Sequence, residues 1–276
     1  MALGERHGSK TDADFRNRLV RHPGFAAKAD LIVVEFANAF HQPILDRYVV
    51  EGEDLPEDEL ARVWRDAAGA EVWESPIYRQ FFDAVREANQ KLAPESRLRV
   101  IAGDPAVDWE NATTPEDIAA YSRRGQIAVE TILNEAVKKG KKALLVWGRG
   151  HFARGNHFDA GWGGITSGLS VGYEDELFVV LTISGDEPKI VHFADSHGLN
   201  KEPLFVNLQQ SPVGEMTAHE IFDWGLRGPI SKMGDGLLFL GTQPDTIVHP
   251  DPPLREIPGY QEELRRRAEI RSRRSK

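Results

Sequence analysis

Residues 31–36 read Leu-Ile-Val-Val-Glu-Phe, an apolar run interrupted only by Glu35. Without polar alternation, such a run suits a strand covered on both faces, the environment of a parallel sheet. Further apolar runs repeat the pattern. Arg97–Ala102 ends at Gly103-Asp104, Ala143–Trp147 ends at Gly148, and Leu177–Ile183 and Leu237–Gly241 follow later. Helical stretches lie between them. Glu57–Ala68 follows Pro56 and has acidic residues in its first turn. Pro76–Leu92 places Ile77, Phe81, Val85 and Leu92 near one face. Thr114-Pro115-Glu116-Asp117 opens a helix expected to reach Lys139, with Gly140 as its stop.

This alternation predicts an α/β fold, a mostly parallel central sheet with helices on both faces. The C-terminal half reads as less regular. Gly161–Gly172 is glycine-rich and expected to be a loop. Between Leu177–Ile183 and Leu237–Gly241 the expectation is loops with a short helix near Glu220, and Tyr260–Arg274 is expected to close the chain as a helix. No internal repeat or linker is visible. The organisation predicted is one α/β domain over residues 1–276, with the motifs in 1–155 and an extension with the closing helix in 156–276.

The net charge of -9 argues against a nucleic-acid partner, because phosphate binding needs a basic face. One stretch departs from that balance: Arg265, Arg266, Arg267, Arg271, Arg273, Arg274 and Lys276 make the end strongly basic. Such a tail can meet anionic lipid or nucleic acid; the plainer expectation is a solvated helix that frays. The absence of cysteine excludes disulfides, thiolate catalysis and Cys-ligated zinc. No apolar run approaches the roughly 20 residues of a membrane span, and no signal peptide is seen. The sequence as it stands therefore reads as cytoplasmic. Its first motif arrives after only three residues, where a strand usually takes about 5, so an upstream segment stays open.

In open α/β sheets, sites form beyond the carboxyl ends of the strands. Here those ends are polar. A short first strand leads into Gly4-Glu5-Arg6-His7-Gly8-Ser9, and Glu35 is followed by Asn38, His41 and Gln42. Gly103-Asp104-Pro105 precedes Asp108-Trp109, and the fourth run ends Gly148-Arg149-Gly150-His151. Four adjacent strands would bring Glu5, His7, Glu35, Asp104 and His151 to one rim. Imidazole and carboxylate together suit a divalent metal such as zinc, manganese or iron, with His7, Glu35 and His151 as ligands. Bound water would then be acidified. Without a metal, a histidine oriented by a carboxylate is a general base.

Glu35 is the sharpest candidate, since a carboxylate inside a buried strand is costly unless paired or coordinating. The structural alternative is an ion pair with Arg47 or Arg123. Asp104 reads equally as a site residue or as part of a turn with Pro105. His41, Asp108, Arg47 and Arg123 are candidates for substrate contact or support, with plain surface roles as the alternative. His192, Asp195, Ser196 and His197 form a polar cluster that could extend the site or bind metal, the plainer expectation being only a loop. The glycines of 148–155 do not match the dinucleotide-loop spacing. No Gly-x-Ser-x-Gly elbow or Walker loop is present.

Gly4-Glu5-Arg6-His7, then Glu35 with Gln42, Leu45-Asp46 and Gly52, then Gly148-x-x-His151, resembles the ChaN-like haem-binding uptake proteins. Those are grouped with the erythromycin esterases, the TIKI proteases and TraB-type proteins. The likeness covers residues 4–155. In the esterase and TIKI branches it implies hydrolysis carried by His7, Glu35 and His151 with Glu5 assisting, metal-dependent in TIKI. In the ChaN branch it implies haem bound through a tyrosine and a histidine, yet Tyr48, Tyr78 and Tyr121 stand in no matching motif. One residue separates Glu5 from His7, as in ChaN, where the esterases have two. The leading expectation is thus a His/Glu or metal-assisted hydrolase of a small-molecule ester, lactone or amide. The alternatives are a haem or iron carrier and a binding module without turnover.

Overall fold

The computed structural model describes residues 1–155, 164–169, 172–199, 203–222, 227–250 and 256–273. Among them seven strands form one sheet: β1 (Ala2–Glu5), β2 (Leu31–Asn38), β3 (Arg99–Asp104), β4 (Ala143–Gly148), β5 (Val179–Ile183), β6 (Leu204–Asn207) and β7 (Gly236–Phe239). Their order is β3-β2-β4-β1-β5-β7-β6, with every pair parallel except β6 with β7. All eight residues of β2 are buried, as a mostly apolar run covered on both faces requires.

Helices cover both faces. On one lie α1 (Lys10–Arg21), α3 (Glu57–Arg65) and α5 (Pro76–Asn89), after the short α2 (Gln42–Asp46) and flanking α4 (Ala70–Trp73). Val20, Leu60, Trp64, Phe81 and Phe82 from these helices pack on Ile32 and Val34. The other face carries α6 (Arg124–Glu135), α7 (Ile165–Leu169) and α8 (Pro188–Ser196), whose Ala128, Ile132, Ile165 and Phe193 pack on Leu31 and Val33. The last helix, α9 (Tyr260–Ser272), seals a third cluster around Val107, Trp109 and Ile118 through Ile270.

The differences from expectation have local causes. The helix foreseen over 114–139 is split into a 3-10 segment, Glu116–Arg123, the α-helix Arg124–Glu135 and a 3-10 turn at Val137–Lys139, and Gly140 ends it with φ +61°. Of the glycine-rich stretch, residues 165–169 are helical and 161–163, 170 and 171 lie outside the described residues. Helix α8 and strand β6 arise where only loops were expected, while the turn near Glu220 is present as Ala218–Glu220. The polar cluster His192, Asp195, Ser196 and His197 sits on the exposed side and end of α8. Nor does the basic end fray as a solvated tail through its length: Arg267 is buried, and Arg266 and Arg267 bond to the body of the domain. Arg274 and Lys276 lie outside the described residues.

The order β2-β4-β1 places a crossover next to the centre of the sheet. The chain leaves β1, skips a position to β2, moves outward to β3, then returns to insert β4 between β2 and β1. Carboxyl ends of strands diverging around such a switch leave a crevice. At that point β2 also slips its register against β3, between Val34 and Asn38, a bulge that includes Glu35.

Candidate functional site

Strand pleat sends the two glutamates to opposite sides of the sheet. Leu3 belongs to the α1/α5 face, so Glu5 two residues on points the same way. Leu31 and Val33 belong to the α6 face, and Glu35 follows them. His7, beyond the end of β1, stands between the two carboxylates. Its Nδ1 is 3.0 Å from Glu5 Oε1 and its Nε2 is 4.0 Å from Glu35 Oε2. A carboxylate at Nδ1 keeps the proton there and leaves Nε2 as the basic nitrogen.

Each carboxylate is held from behind. Glu5 pairs with Arg16, which rises from the buried stripe Ala13, Arg16, Val20 of α1, and its Oε1 accepts the Tyr78 hydroxyl at 3.1 Å. Arg16 is 1% exposed, with Phe36, Tyr78 and Phe81 rings 5.6–5.8 Å from its guanidinium. Burial brings that guanidinium down to about 10, so it stays charged at neutral pH. Burial likewise pushes the Tyr78 hydroxyl up to about 12, keeping it a donor.

Glu35 Oε2 accepts the Gly148 amide at 2.8 Å, and Oε1 accepts from Arg124 at 2.9 Å and lies 3.3 Å from His151 Nε2. Burial opposes its ionisation, but the hydrogen bond to His151 and the charge of Arg124 hold the Glu35 carboxyl far below the usual range. Arg124 also donates to Asp104 at 2.5 Å, and Asp104 takes the Ala68 amide at 2.6 Å. Burial outweighs these partners and pushes Asp104 up to about 6.

These groups open onto a cleft of about 730 Å³ lined by His7, Glu35, His151, Arg123, Arg124, Trp73 and Tyr121 among others. Trp73 meets His7 edge to face at 4.8 Å. The His7 side chain is 38% exposed, at the cleft. Burial pushes His7 below its ordinary value, partly offset by Glu35 and reinforced by Arg124 and Arg149. The ring is therefore neutral at pH 7, as a base must be.

The structure brings together Glu5, His7, Glu35, Asp104 and His151, and puts Arg123 at the cleft mouth with bonds to Gln126 and Glu130. It does not bring the other candidates there. His41 is buried with its Nε2 2.6 Å from Asp66, Arg47 pairs on the surface with Glu53 and Glu59, and Asp108 caps its own turn through Asn111. The partner of Glu35 is Arg124, neither Arg47 nor Arg123. Helical phase explains the choice: Arg124, Ala128 and Ile132 recur every four residues and face the sheet, while Arg123 lies a step off that stripe. Arg16, Tyr78 and Trp73 carried no motif; only the arginine interrupting the buried stripe of α1 was a visible signal.

The sequence suggests a metal ion held by His7, Glu35 and His151, and all three line the cleft. Both oxygens of Glu35 are engaged, and Arg124 bonds to both Glu35 and Asp104. Among the described residues no three His, Asp or Glu side chains are grouped to hold one. No helix there is long and apolar enough to cross a membrane.

No known protein family matches the sequence, and no curated protein does. Solved structures match its fold. A protein from Bacillus cereus superposes with a TM-score of 0.58 at 12% identity, over 90% of this chain and 89% of that one. A succinoglycan biosynthesis protein superposes with a TM-score of 0.63 at 10% identity, over 90% and 88%. The RRSP effector domain of a Vibrio vulnificus MARTX toxin matches 62% of this chain and 31% of its own, at a TM-score of 0.38, too remote to carry an argument. None of these three is described as a ChaN-like protein or an erythromycin esterase, so that resemblance rests on the motif residues alone.

Proposed function

We propose that the cleft hydrolyses an ester, lactone or amide, with His7 as general base. The observation that carries this reading is the Glu5–His7 pair. A carboxylate fixes Nδ1, the ring is neutral at pH 7, and Nε2 meets a cleft large enough for a small-molecule substrate. Nε2 takes a proton from water, the hydroxide attacks the carbonyl carbon, and the proton returns to the leaving group. Glu35 stays ionised, orients His151 and stabilises the imidazolium that forms on His7. Arg124, lining the cleft, stabilises charge developing on the carbonyl oxygen, and His151 stands beside it on Glu35. Each of these steps is carried by the chain's own residues.

Haem binding finds less support. The Tyr48 hydroxyl bonds to Asp83, Tyr78 to Glu5, and Tyr121 donates to the Asp66 carbonyl, so each phenol oxygen is committed. The deciding experiment is hydrolysis of p-nitrophenyl esters and of lactones by wild type, His7→Ala and Glu35→Gln. Losses of about 10²–10⁴-fold are expected in both variants. Turnover unchanged in both sinks the proposal.

A further inference from the structure

One wall of the cleft is the turn from Ala68 to Trp73, and it touches both halves of the site. The Ala68 amide bonds Asp104, which holds Arg124 against Glu35, and Trp73 packs against His7 while donating to the Ala68 carbonyl at 2.6 Å. A displacement of this turn therefore reaches the base and its opposing carboxylate together.

What fixes the turn comes from the far end of the sequence. Arg267 of α9 donates to the Arg65 carbonyl at 2.7 Å and to Asp66 Oδ1 at 2.5 Å, the two residues leading into it. The Arg267 guanidinium is buried and lies 4.9 Å from the Trp109 ring centre. The second oxygen of Asp66 is held by His41, and its carbonyl accepts from Asn38, Trp109 and Tyr121. At the other end of the turn, Glu74 pairs with Arg65, which lies over the Tyr260 ring of α9 at 5.5 Å. A buried guanidinium bonded at once to the Arg65 carbonyl, Asp66 and Glu263 is a geometric constraint as well as an attraction.

We infer that Arg267 is a positioning residue for the cleft: α9 clamps residues 65–74, and that wall holds His7 and Asp104 in place. His41, Asp66 and Trp109 complete the clamp from the sheet side. The kinetic arm of the test rests on the hydrolase reading; the exchange arm does not.

The test compares wild type, Arg267→Ala, Arg267→Lys and Asp66→Asn, with Phe193→Leu as a control destabilised in the core under α8. Amide exchange is read by mass spectrometry on peptides covering 66–74. Arg267→Ala is expected to speed exchange there by on the order of 10-fold, leaving β2 and β4 peptides unchanged. Arg267→Lys restores part of the protection, because one ammonium replaces a planar fork with three acceptors. Phe193→Leu leaves the 66–74 peptides at the wild-type rate. With an ester substrate, the clamp variants lose kcat/KM by about 10-fold or more while the control keeps it. If Arg267→Ala does not fold, Asp66→Asn carries the same prediction. Exchange at 66–74 equal to wild type in the clamp variants, or raised equally by Phe193→Leu, overturns the clamp. Absence of turnover in wild type overturns only the hydrolase reading.

Discussion

Replacing Arg16 with methionine keeps an apolar stem among Phe36, Tyr78 and Phe81 but removes the only cation paired with Glu5 among the described residues. The stranded carboxylate is 3% exposed and has two routes. It stays charged, at the several kcal/mol of a broken buried pair, or it takes a proton. For a glutamate with an ordinary value near 4.3, protonation at pH 7 spans about 2.7 pH units at roughly 1.36 kcal/mol each, or ~3.7 kcal/mol. That sets the ceiling on the electrostatic loss at pH 7. At pH 5 the same step spans about 0.7 units, ~1 kcal/mol. The sign is that of a carboxyl raised in the folded variant: the deficit is absent below the unfolded value and grows as pH rises. Urea unfolding followed by tryptophan fluorescence at pH 5, 6 and 7 measures it. Arg16→Met is expected to lose ~3–4 kcal/mol at pH 7 and ~1 kcal/mol at pH 5 relative to wild type. The pair Arg16→Met with Glu5→Gln should recover much of the loss at pH 7. A deficit that does not change with pH would refute the reasoning and reduce Arg16 to a packing element.

Further outcomes follow from the same geometry. Because His7 is held below its ordinary value, kcat/KM should stay level from pH 8 to about 6.5 and fall only below it. Stability should follow the same sign, present above the unfolded histidine value and lost as pH falls through the folded one; an acid limb starting above pH 7 contradicts the assignment. A Cβ on Gly148 would sit 2.7 Å from the His7 ring, while its φ of -52° suits alanine, so Gly148→Ala should reduce turnover by about 100-fold with little change in Tm. Arg124→Gln strands two buried carboxylates and should cost about 3–5 kcal/mol in urea unfolding. Arg123→Gln removes exposed pairs and should stay within about 0.5 kcal/mol.

The sequence by itself determined the parallel core. The largely apolar runs behind β2, β4 and β5 have no stable place except between two helical layers, and Gly148 marks the end of β4. It also determined which strand ends carry acid and imidazole, because a polar residue after a buried strand is local information. The tertiary structure alone decided which cation meets which carboxylate. Arg123 and Arg124 are neighbours in sequence, and the break between the 3-10 segment and α6 selects the one in phase with Ala128 and Ile132. Arg16 reaches Glu5 because α1 packs on the face to which Glu5 points. His41 turned away for the same kind of reason: its Nε2 meets Asp66, on the side where α9 closes. Such pairings join residues up to 201 positions apart. They depend on the burial of both partners, and burial is settled only when the helices dock.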